Sequence, residues 1–309
     1  MKAKRLRSSL LLALTSLIWG AAFVAQSVGM DYVGPFTFNA ARFIVGGIVL
    51  IPCIFFLRRV NGRENGQMDQ EMKQKRTKMG VIGGVCCGIF LCFAAMLQQI
   101  GVSYTSVGKA GFITSLYIII VPIFGIFIKK KVPFNVWISV AIAVMGMYLL
   151  CMTEGLSIGK GDFFVFLCAI GFSFHILVID YFSPKADGVL ISCVQFFTAG
   201  IISGIFTLVF ERPEWSDIFR AWAPVLYAGV MSCGVGYTLQ VVAQKDIEPA
   251  IASLIMSLES VFSLIAGWII LGEVLLPKEQ FGCVLVFAAI VLAQIPVPKW
   301  MVRGKKVLN

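Results

Sequence analysis

The chain has 309 residues, of which 59% are hydrophobic and only 14% charged, and its mean hydropathy of +0.90 excludes an ordinary soluble domain. Its net charge of +10 and pI near 9.2 would suit nucleic acid, but the cations are split among short segments between apolar runs. They therefore read as determinants of membrane topology, and no nucleic-acid partner is expected.

Residues 8–30 form the first uncharged run, preceded by the basic MKAKRLR and carrying Gly20-Ala21-Ala22. Such a start resembles a signal peptide, but the run is 23 residues long and has a mid-chain counterpart described below. It is expected to remain as the first span. The second span, 35–57, holds Arg42; a long loop, Arg58–Lys78, leads to the third, 79–108. The fourth and fifth are 110–128 and 132–153. The sixth, 161–180, holds the only histidine, His175, and the seventh is 188–210. The eighth is 221–244, the ninth, 247–270, holds Glu259, and the tenth is 280–298. A helix needs about 17–25 residues to cross a bilayer. The expectation is an all-α integral membrane protein of ten transmembrane helices.

The ten spans divide into two copies of five. Residues 93–151 match 235–293 at a constant offset of 142, pairing Ala110 with Ala252, Ser115-Leu116 with Ser257-Leu258, and Gln98 with Gln240. Earlier spans match at an offset of 153, pairing Phe43 with Phe196 and Arg42 with Gln195. The difference falls in the loop Arg58–Lys78. Five crossings are an odd number, so the copies must face opposite ways, the scaffold of many secondary transporters around a central cavity. The units are expected at 1–155 and 156–300, followed by a cytoplasmic tail at 301–309.

With the N-terminus inside, twenty Lys and Arg residues fall on the cytoplasmic side and only Lys160, Arg212, Arg220 and Lys278 on the other. This bias places both termini in the cytoplasm of a plasma (inner) membrane protein. Gly80, Gly84 and Gly88 in the third span and Gly200/Gly204 in the seventh supply small-residue steps for close helix packing. Pro122 is expected to kink the fourth. The nine cysteines form no CxxC pair, so no disulfide framework or metal site is indicated and they read as packing residues.

In this order and spacing, the chain resembles the EamA family of the drug/metabolite transporter superfamily over essentially its whole length. The resemblance rests on Trp19-Gly20, Ala41-Arg42-Phe43, AGFITSLYIIIVP (110–122) and SLESVFSLIAGWIILGE (257–273). It implies an inverted-repeat exporter of small metabolites, with helices one to four and six to nine around the cavity and five and ten peripheral. Two positions depart from the pattern. Ser260 stands where the family has proline, which removes the usual reason for a helix break at Glu259. Lys131 stands where the second repeat has glutamate, an adjustment to a cytoplasmic surface.

Glu259 is the leading candidate for transport and proton coupling. An ionised carboxylate in mid-membrane costs about 2.5–3.5 kcal/mol on insertion scales, so it is kept neutral, paired or exposed to a watery cavity. The competing role is a protonated glutamate bonded to a neighbouring helix. Its repeat partner is Tyr117, also mid-helix, so both belong near the membrane centre. Lys109, about 12 Å nearer the outside on the Tyr117 stripe, would attract an anionic group or snorkel to the interface. Arg42 suits a substrate carboxylate, although a fixed pair with an acidic residue such as Asp31 is the preferred expectation. Gln98 and Gln240 would line opposite gates or bond helices together. Trp19 would form an aromatic wall.

His175 lies five residues before Asp180, a spacing that resembles a glycerolipid acyltransferase motif and raises the alternative of an intramembrane lipid-modifying enzyme. Residues five apart on a helix diverge by about 140°, so this base and acid would not meet. His175 is instead placed in the cytoplasmic half of the cavity or in packing. No HExxH, GxSxG or Gly-rich phosphate signature occurs. The reading is a secondary transporter and not an enzyme: a cofactor-free exporter of amino acids or related metabolites, working by alternating access. An antiporter of phosphorylated or nucleotide-linked sugars is the same-class alternative, disfavoured by the few intramembrane cations; a passive channel is another. The expected partners are a small-molecule metabolite and the lipid bilayer, with a homodimer left open.

Overall fold

A computed structural model describes residues 2–60, 69–105, 107–130, 132–151, 159–271 and 276–295. Lys131, the last residues of the 257–273 motif and the tail 301–309 lie outside them. The helices in chain order are α1 (Lys2–Gly29), α2 (Pro35–Val60), α3 (Gln70–Val102), α4 (Val107–Phe127) and α5 (Phe134–Cys151). The second half gives α6 (Lys160–Phe182), α7 (Gly188–Phe210), α8 (Trp222–Gln244), α9 (Pro249–Ile270) and α10 (Pro277–Gln294). Among the described residues, nine are long and apolar enough to cross a membrane, and α5 is a shorter apolar tenth.

The inversion can be followed in contacts between repeat mates. Phe43 of α2 stacks on Phe196 of α7, with centroids 6.2 Å apart, while Gly47 meets Phe197 and accepts a weak bond from Cys193 Sγ at 3.6 Å. In α4 and α9, Tyr117 meets Glu259, Ser115 meets Ser260, and Gly111 meets Ser263. At the start of α5, Asn135 Nδ2 donates to the Ile295 carbonyl just past the end of α10, at 3.1 Å. In each pair residue numbers rise on one helix as they fall on the other. Mates that touch while running antiparallel lie beside a two-fold axis in the membrane plane, as inverted repeats require.

Packing exchanges elements between the copies. Helix α1 packs on α8 and α9, whereas α6 packs on α3 and α4. The glycine ladder of α3 explains one of these seams: a Cβ on Gly80, Gly84 or Gly88 would run into Leu190, Val194 or Thr198 of α7. Of the Gly200/Gly204 step in α7 only Gly200 is used, against Ile44; a Cβ on Gly204 would meet open space. The Trp19-Gly20 motif has a similar cause. A Cβ on Gly20 would lie 2.4 Å from Phe262 Cβ and 2.7 Å from the α9 backbone.

Helices α4 and α9 are each interrupted near mid-membrane, at Leu116 and at Ser257. Tight i→i−3 bonds replace the α ladder there: Ile119 N–H to Leu116 O at 3.0 Å, and Ser260 N–H to Ser257 O at 3.1 Å. The break in α9 therefore forms without the proline. Serines bond at the break, with Ser257 Oγ donating locally to Leu254 O at 2.7 Å and Ser260 Oγ donating across to Gly111 O of α4 at 3.0 Å. In α4 the interruption lies at Leu116, six residues before the Pro122 expected to cause it, and the helix runs on through that proline. Helix α8 is π-wound from Tyr227 to Tyr237.

Candidate substrate cavity

A cavity of about 30 Å³ lies among α1–α4, α6, α8 and α9. That is room for about two water molecules, and the cavity is partly open rather than sealed. Among the described residues α5 and α10 contribute nothing to the lining, as expected of peripheral elements, but neither does α7, which was expected to surround the cavity and packs instead on α2 and α3.

Seven of the eight residues singled out in the sequence border it: Glu259, Tyr117, His175, Trp19, Arg42, Gln98 and Gln240. Tyr117 Oη donates to Glu259 Oε1 at 2.9 Å, and Ser115 Oγ approaches the same oxygen at 3.5 Å. The carboxyl is buried beside the two helix interruptions, which supply it with hydroxyls from the facing repeat. It thus sits where the two copies meet.

Arg42 departs from expectation. It makes no ion pair with Asp31 or any other acid among the described residues. Asp31 is exposed in the turn after α1, whereas Arg42 is 2% exposed one helix inward. The guanidinium lies over Phe43 and Phe38, 4.9 and 5.7 Å from their ring centroids, and its Nε and Nη2 have no hydrogen-bond partner. Ring faces offset part of the cost of burying the cation. The unbonded N–H groups remain a fork suited to a planar anion.

Lys109 is the eighth residue, and it lies apart from the cavity. Its Nζ is 2.6 Å from Asp162 Oδ2, on a carboxylate that also accepts from Thr105 Oγ1 at 2.8 Å and Gly159 N–H at 2.7 Å. This network ties the start of α4 to the start of α6. At their other ends Lys130 pairs with Asp180, so α4 and α6 run parallel and the acid of the His175–Asp180 spacing is engaged elsewhere. Gln98 Nε2 donates to Thr114 Oγ1 at 3.2 Å, which binds α3 to α4. Trp19 stacks obliquely on Tyr237 at 4.6 Å and points its Nε1 at Ser232 O, 3.5 Å away.

Sequence reasoning missed Gln195, which bonds His175 at 3.1 Å, and the lining residues Gln26 and Tyr237. The repeat offset signals Gln195, as the mate of Arg42. For Tyr237 there is no such signal, since its mate is Ala95.

Comparison with known proteins gives this arrangement a family. The profile of the EamA-like transporter family matches residues 6–152 and again 159–294. The chain belongs to the EamA-like transporter family. An uncharacterized transporter of Archaeoglobus fulgidus is 30% identical over 295 residues, covering 95% of this chain and 88% of that protein. The uncharacterized transporter YoaV of Bacillus subtilis is 22% identical, covering 89% of this chain and 92% of its own length. A protein of known crystal structure superposes with a TM-score of 0.72 at 15% identity, over 93% of this chain and 96% of that one, a likeness of fold. This EamA-like protein is thus a multi-pass membrane transporter residing in the lipid bilayer.

Proposed function

We propose that the protein is a secondary carrier that exports a small organic metabolite, such as an amino acid, by alternating access coupled to protons. The observation that supports this most is the contact between Tyr117 and Glu259, a carboxyl group on a small cavity at the junction of the two repeats. A group there can exchange a proton with whichever side the cavity faces. The bare guanidinium of Arg42 on the same cavity suits the carboxylate of the solute.

The packing suggests which bodies move. Helices α8 and α9 pack on α1 in one bundle and α4, α6 and α7 group with α3 in another, each drawn from both repeats, while α2 packs between α7 and α8. Rocking of these bundles about the Tyr117–Glu259 and Phe43–Phe196 contacts would open one side while closing the other. In this reading both termini are cytoplasmic and the membrane is the plasma membrane, from the distribution of Lys and Arg. The sequence units 1–155 and 156–300 then describe ancestry, and the exchanged bundles describe motion.

The test is counterflow in proteoliposomes across a metabolite panel, with and without a pH gradient. Trans-stimulation by a loaded solute is expected, and Glu259→Gln should keep exchange while abolishing uptake driven by the gradient. Flux without trans-stimulation would indicate a channel. Unchanged coupling in Glu259→Gln would remove this carboxyl from the proton path.

A further inference from the structure

The cavity lining carries polar groups of opposite hydrogen-bonding character in the two repeats. In the first, Arg42 offers donors alone, and its Nε and Nη2 are unbonded. In the second, the equivalent residue is Gln195, and it faces not the solute but the imidazole of His175. With the amide oriented so that Gln195 Oε1 lies 3.1 Å from His175 Nε2, the oxygen can only accept, so Nε2 carries the proton, and Gln195 Nε2 is left without a partner. The other ring nitrogen, Nδ1, is then a bare lone pair.

That nitrogen has no hydrogen-bond partner, on a residue 1% exposed that borders the cavity. Gln240, also 1% exposed and bordering the cavity, has its Oε1 unpartnered in the same way. Edge-to-face contacts with Phe172 at 6.4 Å and Tyr237 at 5.9 Å hold the imidazole plane. A buried acceptor without a donor is costly, commonly about 1–3 kcal/mol. Two such acceptors on residues that border one cavity, which Glu259 also borders, call for N–H donors that the solute could bring.

We propose that His175 Nδ1 and Gln240 Oε1 form an acceptor pocket that binds a primary ammonium or comparable N–H donor of the transported solute, with His175 neutral and fixed as the Nε2–H tautomer by Gln195. This deepens the carrier reading above. The cavity is polarised, with an anionic group of the solute toward Arg42 and its N–H donor toward His175. Gln195 is a positioning residue, because it sets the tautomer without touching the solute. Solutes that carry only the anion, or only the ammonium, would leave one pocket unsatisfied.

The single histidine makes this directly measurable. Protein carrying ¹⁵N-histidine and a purification tag free of histidine is placed in nanodiscs and its imidazole nitrogens are read by NMR. The expected spectrum at neutral pH is that of the Nε2–H tautomer, and Gln195→Leu should release it toward a tautomer mixture. Glycine, methylammonium and acetate serve as minimal probes. Glycine should shift Nδ1 at the lowest concentration, at least tenfold below methylammonium, and acetate should leave it unmoved. An Nδ1–H tautomer, an Nδ1 resonance blind to glycine up to 100 mM, or an equal response to acetate would overturn the proposal. Flux of the same probes in proteoliposomes separates the two readings. Flux without any shift at His175 sinks the pocket and leaves the carrier; a shift without flux keeps the pocket and counts against the carrier.

Discussion

Arg42 and Gln195 occupy the same position in the two repeats, and Tyr117 and Glu259 occupy another. At both positions one copy keeps a neutral side chain and the other a charged or ionisable one. Nearby, Phe43 and Phe196 have stayed alike and stack on each other. The likeness builds the scaffold, since mates of equal shape can pack across the pseudo-two-fold axis. On the function proposed above, the unlike pairs supply the chemistry, because the solute it implies has two different ends. An inverted repeat with identical halves would present the same pocket twice.

Making the halves alike is therefore the way to break this design. The largest effect is expected where shape differs. Gly20 in α1 has Ser173 as its mate in α6, and copying that serine into α1 would drive its Cβ to 2.4 Å from Phe262 and into the backbone of α9. Backbone cannot yield as a flexible side chain does, so Gly20→Ser should cost about 1–3 kcal/mol or more. The readout is a fall of several degrees in the melting temperature of detergent-purified protein, with loss of flux. The reciprocal Ser173→Gly change should cost about 1 kcal/mol, the usual helix cost of glycine. Equal tolerance of both would mean that α1 and α9 are not packed this closely.

Next comes charge. Arg42→Gln copies Gln195 into the first repeat, and loss of a charge-assisted bond of about 1.5–3 kcal/mol should reduce flux of carboxylate-bearing solutes about 10- to 100-fold. Stability should be unchanged or higher, because the variant no longer buries a cation without an acidic partner. A clear loss of stability with normal flux would make Arg42 a structural residue and would remove the proposed anion pocket.

Much of this was legible before any coordinates. The offsets of 142 and 153 named the mates, and the odd number of spans required their inversion. Intramembrane polarity located the cavity residues, since Arg42, His175 and Glu259 could hardly face lipid. Pairing was the part that failed to show. Asp31 looked a natural partner for Arg42 because it is close in sequence, but it lies in a turn while Arg42 faces the bundle centre. Lys109 and Asp162 meet across the two repeats, 53 residues apart, and neither periodicity nor symmetry announces the contact. The break in α9 was missed for another reason. Proline is one cause of a helix break, and here the Ser257 hydroxyl bonds the Leu254 carbonyl at the break instead.

A smaller effect tests the seam between the repeats. Tyr117→Phe removes the hydroxyl that donates to Glu259 while keeping the ring. A net value of about 0.5–1.5 kcal/mol for one bond implies a change in gradient-driven uptake of up to about tenfold. Counterflow without a gradient should change less, since the phenol touches the carboxyl and is not required to hold the solute. Equal loss in both assays would assign Tyr117 to solute binding instead.

The smallest effect is expected at the ion pair that ties α4 to α6. The pseudo-symmetric pair α9 and α1 has Ile251 and Ser9 where the first has Lys109 and Asp162, so one seam is ionic and its mate is not. Lys109 is 24% exposed and Asp162 6% exposed, which allows water and salt to screen the lysine end. Lys109→Ile should therefore cost less than about 1 kcal/mol, and the gap from the parent should shrink in 1 M salt, where the Debye length falls to about 3 Å. The aspartate in that variant keeps its bonds from Thr105 and Gly159 but loses its cation. Adding Asp162→Ser, which copies both mates, should then restore part of the loss. A double variant less stable than Lys109→Ile alone would show that the carboxylate holds the seam through its neutral donors and that the lysine is incidental to it.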